Sequence, residues 1–177
     1  AKSLNLSWAD AIIRLTITEN NRLSKITFGM SDENVSRMLS RPWVVIGSDA
    51  GGHDPDTTTA LVHPRSYGSF ARVLGKYARE DSLFTIEEAV RKMTWSTAQM
   101  LGLRDRGMVK EGMFADLVIF DPATIIDQAT FAKPHQLSRG VRDVFVNGTA
   151  VWRDGKHTGA KPGRALRGPG YVGATRR

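Results

Sequence analysis

Apolar residues change their spacing along this chain, and the changes divide it into a helix-rich half and a strand-rich half. Leu6 to Leu15 predicts a short helix, with Ile12, Ile13 and Leu15 toward one side and Asp10 and Arg14 as an i,i+4 pair. Thr16 to Ser24 is polar and reads as a loop, and Ile26-Thr27-Phe28 reads as a short strand. Ser31 stands as an N-cap before Asp32 and Glu33, whose charges suit the positive end of a helix. Val35, Met38 and Leu39 give that helix its apolar stripe, and Arg41-Pro42 ends it. Trp43 to Ile46 is then continuously apolar, as in a strand buried on both faces of a parallel sheet. Strand, helix and strand in that order make a βαβ unit and predict an α/β fold.

Gly47 to Pro64 has no periodicity, and a loop this long in a compact domain is usually functional or disordered. Phe70, Val73, Leu74 and Tyr77 mark the next helix. Thr85 with Glu88 is a capping box opening a third, with Ala89, Val90 and Met93 inward. Ser96 with Gln99 has the same spacing and opens a fourth, stopped by Gly102. From Gly107 the texture is strands and turns. Leu117 to Phe120 is one strand, closed by Asp121-Pro122, and Asn147-Gly148 joins Val144–Val146 to Ala150–Trp152 in a hairpin. From Asp154 onward little regular structure is expected. The domain reading is therefore 1–102 helix-rich, 103–155 strand-rich, and 156–177 a basic Gly-rich tail.

Charge sharpens the view of that tail. From Val151 to the end there are seven Lys and Arg against one acid, while the first 150 residues carry 18 basic and 17 acidic groups. A basic tail can contact nucleic acid, but this one lacks interleaved stacking aromatics, so a solvated or partner-covered terminus is expected and no nucleic acid. No apolar run is long enough to span a bilayer, and Ala1 to Asp10 lacks the pattern of a signal peptide. Cysteine is absent, which excludes disulfides and cysteine-ligated metal within the chain and is compatible with the cytoplasmic location expected here.

Candidate chemistry centres on Asp49, at the end of the apolar run and the start of the Gly-rich loop. A carboxylate there can ligate a divalent metal or act as a general base, or it can simply cap the turn by accepting N–H bonds from Gly51 or Gly52. His53 and His63 can each be ligand, base or structural residue, and neither belongs to a His-x-His or His-x-x-x-His pair. His135 and His157 read as surface residues. Arg65 follows a stiffening proline and suits a clamp on a carboxylate, or an exposed helix-pairing role. Gly47-Ser48-Asp49-Ala50-Gly51 is not a nucleophile elbow, since Asp holds the central place. Asp116, ahead of the Leu117 strand, reads as a turn contact.

Three stretches carry a resemblance. Val45-Ile46-Gly47-Ser48-Asp49 with His63-Pro64-Arg65-Ser66-Tyr67-Gly68 and the run on to Gly75, the run Gly102 to Pro122 containing Gly112-Met113-Phe114-Ala115-Asp116-Leu117-Val118, and Val146-Asn147-Gly148 through Arg164 resemble the N-acyl-D-amino-acid deacylases (D-aminoacylases) of the amidohydrolase superfamily. The resemblance implies a zinc-dependent (β/α)8 barrel bearing a small β-sandwich, and a hydrolase acting on a small-molecule N-acyl-D-amino acid. It implies that Trp43–Asp49 is the eighth barrel strand, that Asp49 is a metal ligand and proton shuttle, and that Arg65, with His63 beside it, binds the substrate carboxylate. The family's His-x-His, its zinc-binding cysteine and its later metal histidines have no counterpart here. The chain is thus expected to be the C-terminal portion of such an enzyme, inactive alone and completed by the missing barrel portion or by self-association. A non-catalytic subunit or a different amidohydrolase, such as a cyclic amide hydrolase, is the alternative.

Overall fold

The computed structural model describes residues 1–23, 27–168 and 170–171. The chain forms two compact units, Ala1–Ser31 and Asp32–Arg177. In the first, a 3-10 turn (Lys2–Leu4) precedes α1 (Trp8–Thr18), capped by the Ser7 hydroxyl, which accepts the Asp10 N–H at 3.1 Å. The Asp10 carboxylate accepts from the Ser7 hydroxyl at 2.6 Å rather than pairing with Arg14. The helix overruns its expected end at Leu15 and runs to Thr18, where Thr16 and Thr18 accommodate their hydroxyls by donating to the carbonyls of Ile12 and Arg14. Ala11 is buried, while Trp8, Ile12, Ile13 and Ile17 are exposed. The strand expected at 26–28 does not form at Thr27 and Phe28, and Ile26 lies outside the described residues.

The second unit packs helices on one side of its core. They are α2 (Asp32–Leu39), α3 (Arg65–Arg72), a π-helical continuation of α3 (Val73–Glu80), α4 (Ile86–Met93) and α5 (Trp95–Met100). Val73, Leu74, Tyr77, Ala78, Ala71 and Ala89 are buried together with Ile46 and Ile125, and Val35, Leu39, Val90 and Met93 pack against them. Met38 stays half exposed. Thr85 caps α4 as expected, its hydroxyl accepting the Glu88 N–H at 3.2 Å, but the Glu88 carboxylate turns to Arg91 instead of closing the box. α5 starts one residue before Ser96, with Thr94 at its N-cap, and the Ser96 hydroxyl accepts from Arg91 at 2.5 Å inside the first turn. Its end is a Schellman turn at Gly102, with Leu103 N–H bonded to Ala98 O and Gly102 N–H to Gln99 O.

Trp43–Ile46 forms no strand. An apolar run becomes a strand only beside a ladder partner, and the one backbone bond from Ile46 goes to the carbonyl of Lys92 on α4, at 3.4 Å. Ile46 is buried but Trp43 is 76% exposed. Among the described residues, the sheet is an antiparallel meander, β1 (Leu117–Phe120), β2 (Val141–Val146), β3 (Thr149–Arg153) and β4 (Lys156–His157), in that order. The β2–β3 hairpin turns at Asn147 and Gly148, with φ of 48° and 80°, the values of a type I′ turn. Asp154-Gly155 repeats that geometry and adds β4 where no strand was expected. Asp116 ties the strand-rich half together. It accepts from the buried Arg106 guanidinium and from the Asn147 N–H at 2.8 Å. Asn147 also donates to Pro162 O at 2.7 Å, and Arg164 lies 4.8 Å over the Phe114 ring, so the start of the basic tail is fastened to the sheet.

Candidate functional site

Asp49 occupies the left-handed region, φ 49°, one residue after Ser48, whose hydroxyl accepts the Ala50 N–H at 3.3 Å. A non-glycine residue there is uncommon, though Asp tolerates it better than most, and such positions concentrate at working sites. The turn projects the carboxylate outward, 85% exposed, and its Oδ2 meets Nη1 of Arg65 at 2.9 Å. Between these residues the chain has no helix or strand and makes turns, among them an Asx turn in which Asp54 accepts the Asp56 N–H at 2.9 Å.

Arg65 is the first residue of α3. Its backbone N–H, one of the donors a helix start leaves without an intrahelical partner, is accepted by His63 Nδ1 at 3.1 Å. That bond requires His63 to carry its proton on Nε2. His63 is exposed, yet partial desolvation by its neighbours holds the imidazole below the usual histidine range; the nearby Arg65 cation adds to the effect, and Asp49 opposes it. The structure thus brings Asp49, His63 and Arg65 into one cluster. It leaves His53 folded back over Gly51, and His157 accepting the Gly159 N–H in β4. His135 is no free surface residue: its Nε2 lies 2.9 Å from Ala60 O.

Beside the cluster opens a cavity of about 1050 Å³ within the second unit. Ser48, Gly51 and Arg65 line it together with the apolar Phe70, Met93, Trp95, Val118 and Val144. Lys92 is a participant that sequence reading missed. It is 1% exposed, and its ammonium donates to the carbonyls of Arg41 and of Val44, the latter at 3.0 Å. Burial pushes its pKa down, with Glu88 opposing and Arg91 adding. This buried cation ties the segment leading to Asp49 onto α4. The signal was a lysine three residues after the inward Ala89, on the apolar face of its helix.

A catalytic zinc takes three protein ligands and leaves one position open. Among the described residues no three His, Cys, Asp or Glu side chains converge on a metal-binding point. Asp49 fits as one donor, and the described residues alone do not complete a site.

The amidohydrolase family model matches residues 7–152. A D-aminoacylase of Alcaligenes xylosoxydans xylosoxydans is 47% identical over 141 residues, 80% of this chain and 28% of that protein. The crystal structure of a D-aminoacylase superimposes with a TM-score of 0.69 at 47% identity, over 74% of this chain and 27% of the other. The N-acyl-D-glutamate deacylase of Bordetella bronchiseptica, complexed with zinc and a phosphonate inhibitor that mimics the tetrahedral intermediate, does so with a TM-score of 0.64 at 40% identity, over 72% of this chain and 27% of the other. The chain therefore spans little more than a quarter of the length of these relatives, and it belongs to the amidohydrolase family.

Proposed function

We infer that this chain is the C-terminal portion of a zinc-dependent hydrolase that cleaves N-acyl-D-amino acids, contributing Asp49 to the metal site and Arg65 with His63 to the substrate-carboxylate site. The observation that carries the reading is the 2.9 Å approach of Arg65 to Asp49 across the intervening loop. It supports a guanidinium that reaches a carboxylate lodged beside Asp49. Both partners are largely exposed, Arg65 at 43%, and an ion pair of that kind is worth about 0–1 kcal/mol. A substrate carboxylate therefore displaces Asp49 from Arg65 at little cost, and the bidentate fork of arginine suits that carboxylate. Asp49, released, takes a proton from the hydrolytic water and passes it to the leaving amine. Zinc, when bound, supplies acidity to the water and polarises the amide carbonyl.

Packing supports the reading that more polypeptide belongs on this surface. A half-open, apolar-walled cleft of about 1050 Å³ lies between helices and sheet, and apolar surface of that extent marks a place where other groups bind. Trp43 and Val118 are exposed on a unit of this size. We take 1–102 as the barrel portion, Trp43–Asp49 as its last strand, formed only when the neighbouring strand is present, 103–155 as the strands of the small sandwich, and 156–177 as the tail.

The test joins this chain behind the portion of the Alcaligenes D-aminoacylase that it does not cover. The joined protein, loaded with zinc, hydrolyses N-acetyl-D-leucine and spares the L enantiomer, and the 177-residue chain alone does neither. Zinc-dependent deacylation by the isolated chain, or a folded, zinc-loaded joined protein with no activity on any N-acetyl-D-amino acid, contradicts the reading.

A further inference from the structure

The connection between β1 and β2 adds no strand to the sheet. Its base is closed by Ile126 and Arg139, with Arg139 N–H bonded to Ile126 O at 2.9 Å and Ile126 N–H to Arg139 O at 3.3 Å. Inside, the Gln136 amide donates to Gln128 O at 2.9 Å and to Lys133 O at 2.8 Å. Thr130 and Lys133 bond each other in both directions, and Pro134 is fully buried. A loop with joined ends, stapled by its own side chains, is an Ω-loop, a kind that is frequently functional.

This loop touches the segment that carries His63 and Arg65, on both sides of the arginine. The Phe131 ring meets the His63 ring edge-on, with centroids 5.0 Å apart and planes at 81°. His135 Nε2 reaches Ala60 O at 2.9 Å, and its ring stands edge-on to Tyr67 at 5.9 Å. The Ser138 hydroxyl donates to Tyr67 O at 3.0 Å, and Asp127 pairs with Arg72 at 3.1 Å. At Gly68 a Cβ would lie 2.7 Å from the Asp127 Cβ, so loop and helix are in direct apposition there.

We propose that the Ile126–Arg139 loop is the device that positions Arg65, and that Phe131 and His135 are the positioning residues through which it acts. The proposal rests on the reading of Arg65 as the carboxylate-binding residue. His63 holds the Arg65 backbone through Nδ1, and Phe131 holds the plane of the His63 ring. His135 must donate from Nε2 to the Ala60 carbonyl, which pins the chain just before the turn. The direction of the guanidinium is then set before substrate arrives, and such preorganisation appears in substrate binding rather than in the step at the amide. Neither residue touches the reacting atoms.

Two measurements decide it. In the 177-residue chain, amide hydrogen exchange is followed residue by residue while long-range proton–nitrogen NMR reads which His63 nitrogen is bare. Phe131→Ala speeds exchange at Arg65 about three- to tenfold, the scale of one edge-on aromatic contact, and unfixes the His63 tautomer, while amides of α4 and β2 stay within about twofold. Phe131→Leu recovers part of the protection. His135→Gln, which keeps a donor, holds the Ala60 side of the turn, and His135→Ala does not. Unchanged exchange at Arg65, or equal acceleration in α4 and β2, overturns the proposal. In the joined deacylase, Phe131→Ala raises KM for N-acetyl-D-leucine about three- to tenfold with kcat within about twofold. A fall in kcat at constant KM overturns it too. If the unsubstituted joined protein is inactive, the deacylase reading fails and the exchange measurement alone decides the positioning role.

Discussion

Asp49 and Arg65 are sixteen positions apart in the sequence and share one ion pair, which makes their substitutions separable in effect. In the joined deacylase, Arg65→Lys keeps the charge but loses the bidentate fork. KM for N-acetyl-D-leucine then rises roughly 10- to 100-fold, the scale of one charge-assisted hydrogen bond of about 1.5–3 kcal/mol, with a smaller change in kcat. His63 gives a pH signature in the chain itself. Its folded pKa is held below the ordinary value of 6.5, by partial desolvation first and by Arg65 second, against Asp49. The unfolded chain binds that proton more readily, so this part of the stability is complete above about 6.5 and is lost as pH falls below it toward the folded value. The urea midpoint falls between pH 7.5 and 5.5, and His63→Asn, which retains an acceptor for the Arg65 N–H, falls less. Lys92→Met removes the buried ammonium that holds the carbonyls of Arg41 and Val44. The Arg41 carbonyl keeps the Val44 N–H at 3.1 Å, but the Val44 carbonyl loses its side-chain donor, which lowers stability by about 1–3 kcal/mol, read from urea unfolding at constant m-value.

Elements whose signals are local were legible in the sequence. Thr85 opens α4, Gly102 closes α5, and Asn147-Gly148 turns the β2–β3 hairpin because caps and turns are decided by a few adjacent residues. Trp43–Ile46 was legible only as an apolar run. Whether such a run becomes a strand depends on a neighbour, and none is bonded to it. The Ile126–Arg139 loop was not legible at all. It has no periodicity, and His135 meets Ala60 across 75 positions, a pairing that no local pattern encodes. The Asp49–Arg65–His63 cluster was legible as candidates from the His63-Pro64-Arg65 stretch, whereas Lys92 was hidden by the habit of placing lysine at the surface. Gly75 offers a test of the packing that seats the loop. A Cβ there would fall 2.4 Å from Ile125 O and 2.6 Å from Ile126 Cδ1, at the base of the loop. Gly75→Ala therefore overpacks the contact and costs about 1–3 kcal/mol in urea unfolding, despite the better helix propensity of alanine.

At the scale of the molecule, the described residues offer a metal-ligand candidate in Asp49, a carboxylate-clamp candidate in Arg65 and an apolar-walled cavity, and no group of three metal-ligating side chains. The 177-residue chain therefore takes up no catalytic zinc at stoichiometric, micromolar levels, a result that equilibrium dialysis reads directly. The measurement that tests the central claim most directly is kcat/KM for N-acetyl-D-leucine in the joined deacylase, with and without Asp49→Asn, on preparations matched for folding by circular dichroism. Loss of the proton-transferring carboxylate lowers kcat/KM by about 100- to 10,000-fold. A value within threefold of the unsubstituted protein contradicts the role given to Asp49, and with it the account of this chain.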